Sequence, residues 1–172
     1  MRKSPKVLDM LIITALFIVA IIWFGGAFGN RDLLWFVQSF DAQPAAIRVY
    51  HYGSARDVLP GQARFDELVA AINAEVPKHA GYYENLAPTG SSLASYLDKG
   101  FALELLYAQP VLVHSRFFFP RASRLLIAID GAYNYLKVPL LFRGSAKQWL
   151  PGGLVLESVD RVRAAAEAMT NP

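Results

Sequence analysis

Histidine is the side chain best suited to acid–base or metal chemistry near neutral pH, and this chain has three, at positions 51, 79 and 114. They lie far apart in unlike contexts, with no H-x-x-x-H or H-E-x-x-H spacing. A metal needs ligands that converge at fixed distances, so these three read as ordinary sheet or surface histidines, and neither metal nor cofactor is expected. Two serines sit in Gly-Ser-Ala triplets, at residues 53–55 and 144–146. Neither triplet is a G-x-S-x-G elbow or an S-x-x-K motif, and neither brings an evident base or oxyanion hole, so both read as loop composition. The adjacent acids Asp66 and Glu67 diverge on a helix and suit compensation of its dipole better than paired acid–base work. Gly152-Gly153 follows Pro151 and reads as a turn, not a phosphate loop. The chain has no cysteine, which removes disulfides, thiolate catalysis, thiolate metal sites and a lipidated-cysteine anchor. A non-enzymatic role is expected, with no small-molecule substrate evident. An uncharacterised hydrolase is the alternative that a ligand-sized polar cleft with converging Tyr or His would revive.

The segment with most potential for recognition is HSRFFFPRASR, residues 114–124. It groups Phe117, Phe118 and Phe119 with Arg116, Arg121 and Arg124. Three successive aromatics in an extended chain must face both ways. The default expectation is that alternate rings enter the core. The functional alternative is a partner contact, since Phe and Arg are favoured at protein interfaces. A third is contact with anionic lipid headgroups. The pairs Tyr82/Tyr83 and Tyr133/Tyr135 divide between interface and plain sheet packing in the same way.

These residues are positioned by a chain with a marked N-terminal feature. Residues 10–28, MLIITALFIVAIIWFGGAF, form 19 positions without a charge. As a helix the run spans about 28 Å, close to the hydrocarbon thickness of a bilayer. Met10, Phe17, Trp23, Phe24 and Phe28 are its candidate anchor residues, Trp23 and Phe24 lying toward the end where aromatics favour the headgroup level. Arg2, Lys3 and Lys6 precede the run and favour a cytoplasmic N-terminus, with everything after it extracytoplasmic. The rival is a cleaved signal peptide, with Ala27 and Gly29 as a small-x-small site, but the apolar run is long and crowded with bulky residues. The expected organisation is a basic cytoplasmic tail (1–9), a transmembrane helix (10–28), a juxtamembrane segment (29–44) and an extracytoplasmic domain (45–172). The formal charge is +3 and the pI about 9.2. Three basic residues and Asp9 belong to the tail, leaving 14 basic and 13 acidic residues beyond it. A phosphate-binding surface needs clustered cations, so nucleic acid is not an expected partner.

Residues 30–40 either prolong the helix or lie along the outer interface, and 41–44 break the pattern. Residues 45–52 (AAIRVYHY) alternate as a strand. Residues 63–76 place Phe65, Leu68, Val69, Ile72 and Val76 on one helical stripe, stopped by Pro77. Residues 78–92 read mostly as loop, followed by a short helix to Lys99 with Gly100 as its stop. Residues 101–107, 110–114 and 124–130 read as strands. Asp130-Gly131 signals a hairpin whose second arm is 132–138, with Pro139 breaking it or marking a sheet edge. Residues 140–143 and 153–156 are further extended pieces, and 158–169 a final helix capped by Ser158. The fold class is α+β: an antiparallel-rich sheet packed by two or three helices on one face, after a single N-terminal transmembrane helix.

Three stretches carry a family resemblance: the anchor followed by Pro44 and IRVYHYG; FALELLYAQPVLVHSRFFF; and RLLIAIDGAYNYLKVPLLF. Across residues 5–145 the layout resembles the YycH/YycI type of accessory protein. The resemblance implies a single-pass protein with an extracytoplasmic α+β region that modulates a membrane sensor histidine kinase of cell-wall homeostasis. The chain is much shorter than YycH and would hold about one of its domains. The family has no catalytic residues to carry over. The expected function is a membrane-anchored interaction or regulatory domain acting on another membrane protein. The alternative is a structural accessory subunit of a larger membrane complex.

Overall fold

The computed structural model describes residues 6–130, 133 and 136–170. The elements run α1 (Val7–Asn30), β1 (Ala46–His51), β2 (Ser54–Val58), α2 (Phe65–Glu75), β3 (His79–Tyr83), α3 (Gly90–Lys99), β4 (Phe101–Val111), β5 (Ala122–Ala128), β6 (Leu140–Gly144), β7 (Trp149–Leu156) and α4 (Asp160–Thr170). The seven strands form one sheet in the order β2-β1-β4-β5-β6-β7-β3, every neighbouring pair antiparallel.

The central strands are apolar on both faces, and this decides the layering. Along β4, Phe101, Leu103 and Leu105 point to one side and join Leu125 and Ile127 of β5 and Leu141 of β6 in the larger core. Phe65, Leu68 and Ile72 of α2 and Val162 and Ala166 of α4 cover that side. Ala102, Leu126, Ala128, Leu140 and Phe142 point the other way, against Tyr96 of α3 and Tyr133. The helices therefore lie on both faces, not on one as the sequence pattern suggested. Near-continuous apolar runs such as RLLIAI and LLF are the mark of strands buried on both sides.

Both edge strands lay in stretches read as loops. The polar β2 hairpins onto β1 through Tyr52 and Gly53, whose φ angles of 43° and 89° are both positive, as a two-residue hairpin turn requires. At the opposite edge β3 pairs with β7 and carries a bulge between His79 and Gly81. The expected hairpin after Asp130 also differs. The partner of β5 is β6, with Ala128 opposite Leu140. Part of the expected 132–138 arm (132, 134 and 135) lies outside the described residues, Tyr133 fills the second core, and 136–139 are not strand. Asp130 is instead a brace. Its carboxylate accepts the Phe101 N–H at 3.1 Å and lies 2.6 Å from the Tyr96 hydroxyl, locking the end of α3 to the start of β4. Gly100 is required at that corner because a Cβ would come within 2.7 Å of the Tyr96 ring and carbonyl. At α4 the Ser158 Oγ accepts the Asp160 N–H at 3.1 Å, the cap expected from sequence.

Helix α1 stands apart from this body. None of its most apolar stretch is buried, and its mean hydropathy is 2.7, the length and composition of a membrane span or a signal sequence.

Phe65 is fully buried at the junction of α2 and the sheet. Phe65→Ala should lower the unfolding free energy of the full chain in detergent by about 3–5 kcal/mol, read from the urea midpoint by circular dichroism.

Candidate functional site

The loop between β4 and β5 carries most of the residues singled out in the sequence. It threads from one part of the sheet to another, and each step has a partner. The His114 N–H donates to the Ser39 carbonyl at 3.1 Å, and His114 Nδ1 lies 2.8 Å from the buried Asp32 carboxylate. Ser115 Oγ lies 2.8 Å from His79 Nε2 on β3 and accepts the Phe117 N–H at 3.0 Å. Arg116 donates to the Ala80 carbonyl at 3.3 Å. The Phe117 ring stacks on Tyr82 at 5.8 Å. Phe119 is buried beneath the Arg143 guanidinium, 5.0 Å from its ring centre. Phe118 alone of the three rings turns outward, 40% exposed, between the exposed Arg116 and Arg121. Arg143 is itself buried, reaching Tyr82 Oη and the Phe118 carbonyl only at 3.4 Å, and its Nε has no partner among the described residues.

Arg124 belongs elsewhere. It sits on the α3 side of the sheet, over the Trp149 ring, and forms an ion pair with the buried Glu104 across the β4–β5 ladder. The Tyr50 hydroxyl donates to the same carboxylate at 3.0 Å. Burial and the neighbouring Glu104 charge push the Tyr50 hydroxyl pKa upward. Beyond it, Arg48 and Asp57 form an exposed cross-strand pair that holds the Asp57 carboxyl below the ordinary carboxylate range.

The histidines do not converge. The His51 ring packs between Tyr52 and Phe101, His79 pairs with Ser115, and His114 pairs with Asp32. Among the described residues no three His, Cys, Asp or Glu side chains are grouped to hold a metal. The Ser115–His79 pair has the spacing of a nucleophile and its base, a conjunction that sequence spacing concealed. Both residues are almost fully buried, Ser115 already accepts a backbone N–H, and His79 Nδ1 faces the Val76 carbonyl at 3.4 Å where a catalytic dyad has a carboxylate. The pair pins the loop to β3. Burial, the largest influence, holds the His79 pKa below its ordinary value.

A cavity of about 410 Å³ opens between β2 and the facing ends of α2 and α4, lined by Arg56, Gln62, Arg64 and Met169 among others. That is the size of a small-ligand pocket. Of its two arginines Arg56 is engaged: it donates to the Met169 carbonyl at 2.8 Å, at the end of α4. Ser54 and Ser145, the serines of the two Gly-Ser-Ala triplets, each serve a turn, through the His51 and Gln148 carbonyls.

No protein-family model matches the chain, and neither curated proteins nor solved structures yield a significant match to it.

Arg124→Ala leaves Glu104 charged and buried, so it should lower stability by about 3–5 kcal/mol. Phe118→Ala removes only surface, so it should change stability by less than about 0.5 kcal/mol, both read from denaturant midpoints. For His79, the unfolded chain takes up a proton near the ordinary 6.5 while the folded protein still resists it. Stability should therefore be full above that value and fall as pH drops below it. In His79→Gln this part of the pH slope should be missing.

Proposed function

We propose that the chain is a single-pass membrane protein whose folded domain lies outside the cytoplasm and acts by binding another membrane protein. The observation that carries this reading is α1: 24 residues, apolar on every side, with its most apolar stretch unburied by the domain. Arg2, Lys3 and Lys6 ahead of it support a cytoplasmic N-terminus. Retention of the helix is favoured because its last turns are built into the structure: Trp35 packs against Gly26, and Ala27 is buried. A cut at the Ala27/Gly29 site would remove that support.

The contact surface we assign is the outward side of the β4–β5 loop, with Phe118 flanked by Arg116 and Arg121. The loop is tied at Ser39 through the His114 N–H and at His79 and Ala80 through the Ser115 and Arg116 side chains, so little conformational entropy is lost on docking. Confinement to the bilayer raises the effective concentration of a membrane partner, so a small surface suffices. The resemblance to YycH/YycI proteins favours a sensor kinase of the cell envelope as that partner, and regulation as the outcome.

Because the chain has no cysteine, single introduced cysteines report topology directly. In intact cells a membrane-impermeant maleimide should label Ala146→Cys and reach Ser4→Cys only after lysis; the reverse pattern refutes the orientation. A photo-crosslinking residue in place of Phe118 should give a discrete adduct that is lost when Arg116 and Arg121 are changed to Glu. An identical adduct from the exposed Asp66 on α2 counts against the assigned surface.

A further inference from the structure

Between α1 and the domain the chain does not simply exit. Arg31 adopts a left-handed conformation (φ 52°), and the Asp32 N–H reaches back to the Ala27 carbonyl at 3.2 Å. Asp32 Oδ1 accepts the Leu34 N–H at 2.9 Å, and the Val37 N–H donates to the Leu34 carbonyl at 2.8 Å, coiling residues 32–37 into consecutive turns. The coil doubles back along the helix. The Trp35 ring lies on Gly26 so closely that a Cβ there would collide with it. Trp35 Nε1 donates to the Trp23 carbonyl at 3.3 Å. At about 1.5 Å per residue, Gly26 and Trp23 lie roughly 6 and 10 Å back from the helix end at Asn30.

The residues around Trp35 are apolar and uncovered. Leu33 is 65% exposed, Leu34 47%, Phe36 55% and Val37 42%, and Trp35 among them lies on α1, itself bare along its most apolar stretch. We infer that residues 33–37 form a foot embedded in the headgroup and upper acyl region of the bilayer that α1 crosses, holding the domain directly on the membrane surface. This rests on the anchor reading above. If α1 spans the bilayer, a ring bonded to the Trp23 carbonyl and seated on Gly26 is below the level at which the helix emerges. Indole, with an apolar body and one N–H donor, suits that depth. The exposed aliphatic and aromatic neighbours gain burial there that water denies them.

The foot is joined rigidly to the domain. The buried Asp32 carboxylate is bonded to His114, Ser39 is bridged to the same residue, and Phe40 lies in the main core against Tyr107. Only two residues separate Val37 from Phe40, which leaves no length for a flexible tether. The β4–β5 loop, beginning at this joint, is held at a fixed height over the lipid.

The test uses full-length protein in phosphatidylcholine proteoliposomes, with Trp23→Phe and Trp149→Phe leaving Trp35 as the sole indole. Lipids brominated near the glycerol end should quench Trp35 emission more than lipids brominated near the chain terminus, and aqueous iodide should quench little. Adding Gly26→Leu, which fills the seat, should shift the quenching from lipid to iodide while the protein still floats with the vesicles. Iodide quenching without bromide quenching, in protein that floats, overturns the foot and leaves the anchor standing. Protein that does not float overturns both. Protection of Trp35 only after another membrane protein is added assigns the surface to a partner helix and overturns the lipid assignment.

Discussion

A helix of the length of α1 with apolar side chains all round and no protein cover is stable only in an apolar medium. In water its exposed Leu, Ile, Val and Phe side chains would each forgo about 1.5–3 kcal/mol of burial. The domain leaves that surface bare. It engages the helix instead at its last turns, where Ala27 is buried and Gly26 receives Trp35. The joint at Asp32 and His114 then transmits the position of the helix end to the β4–β5 loop. Helix, turn and loop are one mechanical path, and under the proposed reading a partner in the same bilayer would meet the loop at a set height.

The sheet is packed on both of its faces. Its central strands are lined with Leu, Ile, Phe and Ala on both sides, and helices cover both. The buried polar groups are mostly spent on holding elements together: Glu104 with Arg124 and Tyr50, Asp130 with Tyr96, His79 with Ser115. Two are exceptions among the described residues: the buried Tyr107 hydroxyl has no partner, and Arg143 is a buried cation whose hydrogen bonds are long and whose Nε is unpaired. It sits under Phe118 and over Phe119, so its charge contributes to the potential of the surface assigned to the partner.

Much of this was legible in the residues. The alternation in β1, the apolar stripe of α2, the Ser158 cap and the α+β class follow from local periodicity and capping chemistry. What was not legible depends on tertiary partners. The polar strand β2 exists because Tyr52-Gly53 folds it onto β1, and β3 because β7 offers it an edge. The second arm after Asp130 was misplaced because a turn dipeptide and a following aromatic stretch outweighed, in a local reading, the register that pairs Ala128 with Leu140. Of the six residues in the Phe/Arg cluster, alternation predicts that neighbouring rings face opposite ways, but not that Phe119 turns inward and Phe118 outward. It cannot show that Arg124 crosses to the far face to meet Glu104, because that pairing depends on the register of β4 with β5. The Asp32–His114 bond joins residues 82 positions apart and leaves only a faint trace in the sequence, a lone acid beside an apolar run.

The central claim is that α1 stays with the protein, and the amino terminus of the native product tests it most directly. Membranes washed with alkaline carbonate should retain the protein, and mass mapping should recover peptides from ahead of Val7 joined to the rest of the chain. A product released by the wash that begins near Asn30 would contradict the account, because α1, the seat for Trp35 and the foot would all have lost their basis.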